Sequence, residues 1–351
     1  MITIFTPSFA DEANTNAQNL TVKEIVSRLP SDRFRVIMLG DRGAADPRIL
    51  ARENTEILRS YPHGNAARWL MRLVLSKVDI YFFPRQGPLD GAFFFLRRSL
   101  GLPIALVTYI VMALDEIEVA PILTRSIREA DRVFGNSRYV SQTISNRFGV
   151  TSATIYDGID RQLFRPPAVP RHDGQKLTVL YAGSFQPRKR VQLVIREAAK
   201  RPQVEFRLAG KGEEEAGCRS LAKELECRNV AFVGHLSQPE LAKEMRRADV
   251  FLFPSVLEGH PQVLGQAAAC GLPAIAMDKY WPDYVVDGET GYLAKSESDV
   301  SDKLDGLLAG HELRRRMSSA AAIHAARFDW KQVTLDWENV FLDTAGGHGA
   351  R

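Results

Sequence analysis

Short apolar runs and amphipathic stretches alternate along almost the whole chain. In the first half, "ITIFTP", "FRVIMLG", "IYFFP", "PIALVTY", "RVFGNS" and "SATIYDG" read as strands, each too short for a helix and rich in β-branched or aromatic residues. Between them, "NLTVKEIVSRL" and "RYVSQTISNRFG" place apolar residues on one helical face. The rhythm restarts with "LTVLYAG", "VEFRLAG", "VAFVG", "VFLFPS" and "PAIAMD", each followed by a helical pattern. Strands alternating with helices predict parallel sheets joined by right-handed crossovers, hence two Rossmann-like, doubly wound α/β halves. Ligands bind such sheets outside the carboxyl ends of the strands. Two halves of this kind are expected to face each other across a cleft.

The segment "RPPAVPRHDGQ", residues 165–175, interrupts both periodicities with prolines and a glycine. The expected division is therefore residues 1–168 for the first domain and 169–328 for the second. With 351 residues and 45% hydrophobic positions, the chain can bury two ordinary cores. No apolar run is long enough to span a membrane. The opening "MITIFTPSFADEANTN" starts directly on a strand, with no basic region before it, and predicts a cytoplasmic protein rather than a signal peptide. Cys218, Cys227 and Cys270 are too few and too scattered for a disulfide framework or a zinc site. A net charge of +4 without a dense basic run argues against a nucleic-acid partner.

Three strand ends in the second half carry chemistry. In "LYAGSFQPRKR", Gly183 closes a strand and Pro187, Arg188, Lys189 and Arg190 lead into a helix. Cations at a helix N-terminus conflict with the macrodipole unless an anion sits between them; a solvated charge run is the plain alternative. In "PSVLEGHPQVLGQAAACGLPAIA", Gly259 and Pro261 mark a helix start and Cys270 and Gly271 its end. The free N–H groups around His260 to Val263 suit an anion. Glu258 would repel that anion and is better placed to accept from hydroxyls, as on a sugar. Gln266 could reach a second pair of hydroxyls, or be satisfied by a neighbouring loop. The third, "VVDGETGYLA", is a hairpin signal.

"GSFQPRKR", "VAFVGHLSQPELAKEMRRADVFLFPSVLEGHPQVLGQAAACGLPAIA" and "VVDGETGYLA" together resemble the nucleotide-binding half of the retaining glycosyltransferases of family four, which adopt the GT-B fold. "ADRVFGNSRYVSQTISNRFGVTSATIYDGIDRQLFRP" resembles that family's segment leading into the linker, and the likeness is strong from Ala130 onward. The resemblance implies an acceptor-binding first domain and a nucleotide-sugar-binding second one. It also implies that residues 329–351 form a last helix crossing back to the first domain. Lys189 matches the lysine that holds the donor diphosphate, with Arg188 and Ser184 beside it. Glu258 matches the first glutamate of a spaced pair, touching the transferred sugar. Gly259, His260, Pro261, Gln262 and Val263 match the loop and helix start that meet the phosphates. Gly183, Gly234, His235 and Leu236 match the strand ends flanking phosphate and base.

Four positions depart from that pattern. Ser184 stands where many members carry arginine, so Arg188 is expected to supply the cation. Gln266 replaces the second glutamate, which grips the ribose. "EANTNAQN" replaces a pair of glycines, with Asn14, Thr15 and Asn16 at the turn. Thr108, Tyr109 and Ile110 stand where a histidine is usual. Asn14, Thr15, Asn16 and Tyr109 are the acceptor-binding candidates, though a polar turn capping the next helix reads equally well. "NAARWLMRLVLSK", with Arg68 and Arg72 beside Trp69 and Leu73, is read either as a peripheral membrane contact or as a buried helix with snorkelling arginines.

The activity so implied is transfer of a sugar from a UDP- or GDP-sugar to a glycan, lipid-linked or small-molecule acceptor with retention of configuration, in surface polysaccharide or glycoconjugate synthesis. No acidic pair has the spacing to chelate a metal, so neither metal nor cofactor is expected and cations do that work. A non-catalytic nucleotide-sugar-binding subunit and a nucleotide-sugar epimerase remain the alternatives.

Overall fold

The computed structural model describes residues 1–13, 17–59, 73, 75–84, 88–115, 118–168 and 176–348. It divides into two compact units, residues 1–157 with 330–351 and residues 158–329. The boundary expected at 168/169 falls within the second unit, beside residues 169–175, which lie outside the description.

In the first unit, β1 (Ile2–Phe9), β2 (Phe34–Leu39), β3 (Thr55–Leu58), β4 (Ile80–Phe82), β5 (Ala105–Ile110), β6 (Arg132–Gly135) and β7 (Ala153–Thr154) form one sheet in the order β3-β2-β1-β4-β5-β6-β7. Every pairing in it is parallel. The strands are apolar on both faces because helices cover both. Helix Arg138–Phe148 starts on Ser137, whose hydroxyl accepts from the Val140 N–H, and stops at Gly149 in the left-handed region (φ 67°). The last helix, Trp330–His348, packs Trp330, Val333, Trp337 and Phe341 against β1, β2, β4 and β5, with the Trp337 ring edge-on to Phe82 and Tyr109.

The second unit repeats the plan. Strands β8 (Thr178–Ala182), β9 (Glu205–Ala209), β10 (Val230–Gly234), β11 (Val250–Phe253), β12 (Ala274–Met277) and β13 (Gly291–Ala294) take the order β10-β9-β8-β11-β12-β13, again parallel throughout. The hairpin expected in "VVDGETGYLA" is not formed. β13 pairs in parallel with β12, and the turn before it is closed by Gly288 (φ 75°), whose N–H donates to the Gly291 carbonyl. A parallel edge strand needs only that turn to enter the sheet, so a glycine turn signal does not by itself specify an antiparallel partner.

In both sheets the strand order reverses beside the first strand, between β1 and β4 and between β8 and β11. Ligands bind at such switch points, outside the carboxyl ends. The loops after β8 and β11 are the ones bearing Lys189 and Glu258.

Candidate functional site

The site is built from those two loops. After β8 the chain passes Gly183, Ser184 and Phe185 into a 3-10 turn, Pro187–Lys189. Arg190 then adopts the left-handed region (φ 54°) and caps helix Val191–Ala199. The cations therefore precede the helix instead of filling its first turn. Phe185 anchors the loop: its N–H donates to the Lys211 carbonyl at 2.8 Å and its carbonyl accepts from the Glu214 N–H at 3.0 Å. Gly210, φ 138°, is required beside it, because a Cβ there would lie 1.9 Å from the Gly183 carbonyl oxygen.

The loop after β11 docks onto the first. The Arg188 carbonyl accepts from the Val256 N–H at 3.0 Å and from the Ser255 hydroxyl at 3.2 Å. One carboxylate oxygen gathers the charges: Glu258 Oε1 meets Lys189 Nζ at 2.5 Å, Arg188 Nη1 at 2.9 Å and Ser255 Oγ at 2.5 Å. Arg188 also donates to the Leu257 carbonyl at 2.8 Å. Glu258 and Lys189 are buried, with side chains 9% and 10% exposed, whereas Arg188 is 41% exposed. Lys189 is thus no solvated charge. Its ammonium also lies 4.9 Å over the Phe253 ring. Burial pulls its pKa below the ordinary lysine value, and the Glu258 charge opposes that shift.

Helix Gln262–Ala269 begins directly beyond Glu258, with Pro261 as a cap that offers no side-chain acceptor. The Leu264 N–H donates back to the Pro261 carbonyl at 2.9 Å, while those of Gln262 and Val263 have no partner within the helix and carry its positive pole. Its position is fixed by aromatic packing. His260 stacks on Tyr284 at 4.0 Å and shares a hydrogen bond with its hydroxyl at 3.0 Å. The Tyr284 ring covers Gly265 so closely that a Cβ there would lie 2.5 Å from it. Burial holds the His260 pKa down to about 3, so this imidazole is neutral and contributes no charge to the site.

Gln266 projects from this helix, buried, and its Nε2 donates to Gln238 Oε1 at 2.9 Å. Its Oε1 has no partner among the described residues. The amide donor is thus taken by a side chain at a neighbouring helix start, while the acceptor oxygen stays unpaired. Gln238 opens helix Gln238–Arg247, entered from β10 through Gly234 (φ 75°), exposed His235 and half-buried Leu236.

Residues 166–324 match the model of the glycosyl transferases group 1. That stretch is similar to the family. D-inositol 3-phosphate glycosyltransferases of Mycobacterium tuberculosis and Mycobacterium bovis are 34% identical over 230 residues, 59% of this chain and 48% of theirs. The chain thus spans about half the length of the curated relatives it matches. Among solved structures, sucrose-phosphate synthase of Thermosynechococcus elongatus superposes with a TM-score of 0.78 at 19% identity, over 99% of this chain and 100% of that one. HepE of Anabaena, solved with UDP, superposes with a TM-score of 0.80 at 17% identity, over 98% and 100%. These likenesses show the GT-B fold of two Rossmann-like α/β domains.

Within the matched stretch, the second unit brings Lys189 and Arg188 onto the Glu258 carboxylate, and the 259–263 segment leads from it into the next helix. Ser184 is exposed and turns its carbonyl to the Tyr181 hydroxyl at 3.0 Å. Ser255 and Gln238, which hold Glu258 and Gln266, were not singled out from the sequence; Ser255, three positions before Glu258, was the nearer signal.

In the first unit, Asn14, Thr15 and Asn16 lie outside the described residues, as do Arg68, Trp69 and Arg72. Tyr109 lies in the core of this unit. It is fully buried, with its hydroxyl committed to the Ile155 carbonyl and Asp157 Oδ1, both at 3.0 Å, and its ring against Phe83 and Trp337. It sits in the core, as its place in an apolar strand run dictates. Among the described residues, no helix is long and apolar enough to cross a membrane, and no group of three His, Cys, Asp or Glu could hold a metal ion.

Proposed function

We propose that this chain is a retaining glycosyltransferase that moves a hexosyl group from a UDP- or GDP-sugar to a glycan, lipid-linked or small-molecule acceptor, using no metal ion. The observation that carries this reading is the convergence of Lys189, Arg188 and the start of helix Gln262–Ala269 around the buried carboxylate of Glu258, at the switch point of the second sheet. Two cations against one carboxylate leave the pocket net positive. The UDP bound by Anabaena HepE supports a nucleoside diphosphate as its ligand.

In the proposed reaction the bond between the anomeric carbon and the diphosphate oxygen breaks, with its electron pair staying on the diphosphate. The acceptor oxygen bonds to the anomeric carbon on the face just vacated and passes its proton to the leaving oxygen. Charge grows on the diphosphate as the bond breaks, and preorganised cations and N–H groups stabilise that growth more than they stabilise the ground state. Lys189 and Arg188 are the cations, and Gly259, His260, Gln262 and Val263 offer the backbone N–H donors, Pro261 having none. Glu258, with its Oε1 engaged by protein donors, keeps Oε2 for hydroxyls of the transferred sugar. Gln266 turns its open Oε1 to the ribose. The acceptor is proposed to be taken by the first unit, the product being a surface polysaccharide or glycoconjugate made on the cytoplasmic side of a membrane.

Incubation with a panel of labelled nucleotide sugars, with membrane extract as acceptor source, tests this. Label passing to an acceptor at a rate unchanged by chelator is the expected result. Binding without turnover would instead establish a nucleotide-sugar-binding subunit. Conversion of the donor to an isomeric sugar would establish an epimerase, and a rate abolished by chelator would overturn metal independence.

A further inference from the structure

We propose that Tyr280 is a sugar-recognition residue of this site, its hydroxyl donating a hydrogen bond to a hydroxyl of the hexosyl group held beside Glu258. The proposal rests on the nucleotide-sugar reading above and adds a residue to it. Neighbouring strands β11 and β12 run in register, Phe253 opposite Ala276, so the chain segments after them leave the same sheet edge side by side. One carries Glu258; the other, beginning after Met277, carries Tyr280.

Among the described residues, five tyrosines are almost wholly buried: Tyr81, Tyr109, Tyr181, Tyr280 and Tyr284. Four of them use their hydroxyls within the protein. Tyr81 donates to Asp90 at 2.6 Å, Tyr109 to Ile155 and Asp157, Tyr181 to Ser184, and Tyr284 pairs with His260. Tyr280, 0% exposed, is the exception: its hydroxyl has no partner among the described residues. A buried hydroxyl left without a partner costs folding free energy that phenylalanine would avoid, so its presence at a ligand site points to a partner that arrives with the ligand. The backbone adds a second sign. Trp281, the next residue, is held in the left-handed region (φ 45°), which is strained for so bulky a side chain, and is 48% exposed. The turn at Trp281 drives Tyr280 inward and leaves the indole outside.

The neighbour decides the ligand's chemistry. Burial first, then the charge of Glu258, raises the Tyr280 pKa well above the ordinary phenol value, so it remains a protonated donor at any working pH. A phosphate beside Glu258 would be repelled, and Lys189 and Arg188 already offer it cations. A neutral hydroxylated ring instead meets a donor from Tyr280 and an acceptor from Glu258 Oε2.

The test is calorimetric titration of wild type and Tyr280→Phe with UDP, GDP, UDP-glucose, GDP-mannose and their monodeoxy-sugar analogues, with melting temperature as the fold control. The phenylalanine variant is expected to melt no lower than wild type and to bind the free diphosphates within about twofold of wild type. It should bind the accepted nucleotide sugar roughly tenfold more weakly, because a site built to pair a hydroxyl loses that pair. One monodeoxy sugar should show the same loss against wild type and none against the variant. Equal weakening of diphosphate and diphosphate sugar, no weakening at all, or a melting temperature several degrees lower would each make Tyr280 a structural residue. Wild type that binds diphosphates without preferring any sugar would sink this assignment while leaving the phosphate site standing. Wild type that binds neither would sink the nucleotide-sugar reading itself, and this assignment with it.

Discussion

Replacing Lys189 with methionine, Glu258 with glutamine, and both together forms a double-mutant cycle on the pair at the centre of the site. Methionine keeps the stem packed over the Phe253 ring, and glutamine keeps the shape of the glutamate, so the cycle reads charge more than cavity. Removing one partner of a buried ion pair costs about 3–5 kcal/mol, because the survivor is left desolvated and unopposed. Here Oε1 still holds Arg188 at 2.9 Å and Ser255 at 2.5 Å, so we expect about 2–3 kcal/mol for Lys189→Met. Glu258→Gln leaves Lys189 and Arg188 facing each other without a counter-charge and should cost about 3 kcal/mol. In the double variant only Arg188 remains charged, and it is partly exposed to water. The double variant should therefore cost little more than either single one, a coupling of about 2 kcal/mol. For a unit of this size each single variant should melt about 4–12 °C lower in scanning calorimetry. The pair is buried, so the coupling should survive high salt, where exposed pairs are screened. Single variants within about 0.5 kcal/mol of wild type, or strictly additive losses, would refute a buried, mutually dependent pair.

Gln266→Glu should tighten ribonucleoside diphosphate binding roughly tenfold in calorimetry and leave deoxyribose analogues unaffected, since charge-assisted bonds exceed neutral ones by about 1 kcal/mol or more. The Gln238 amide, on the exposed side, only has to turn over to donate to the new carboxylate. Equal tightening of both sugars would place Gln266 away from the ribose. Asp157 predicts a pH dependence. Burial raises its pKa from 3.8 to about 6 despite donors from Asn136, Tyr109 and Thr21. The folded state thus binds this proton more tightly than the unfolded state, and stability from this group is gained as pH falls through 6 towards 4. The full effect is about 3 kcal/mol. Urea titrations from pH 7.5 to 4.5 should show wild type gaining about 2 kcal/mol on Asp157→Asn, the rest coming below pH 4.5; a difference flat in pH would contradict the shift.

The sheets were legible because parallel strands covered on both faces are apolar throughout, and eleven such runs stand out from the helical patterns between them. β3, Thr55–Leu58, escaped notice: an edge strand only partly buried needs few apolar residues. Lys189 and Glu258 could each be picked out from turn and helix punctuation, but not their contact, since close to seventy residues separate them and the β8–β11 pairing that brings their loops side by side is not written in either stretch. Gln238 was invisible as the partner of Gln266 for the same reason. The burial of Tyr109 follows from its surroundings: a tyrosine inside "PIALVTY" has the burial of the strand it belongs to. Tyr280 left a signal that went unused, an aromatic pair and a proline directly after a strand end on the edge where ligands bind.

Equilibrium binding of UDP and GDP to wild type and to Lys189→Ala tests the central claim, that the Lys189 loop is a diphosphate site. Wild type should bind at least one of the two, and the alanine variant should bind it at least roughly tenfold more weakly, the loss of one charge-assisted contact. Wild type that binds neither nucleotide, or a Lys189→Ala variant that stays folded and binds as tightly as wild type, would contradict it.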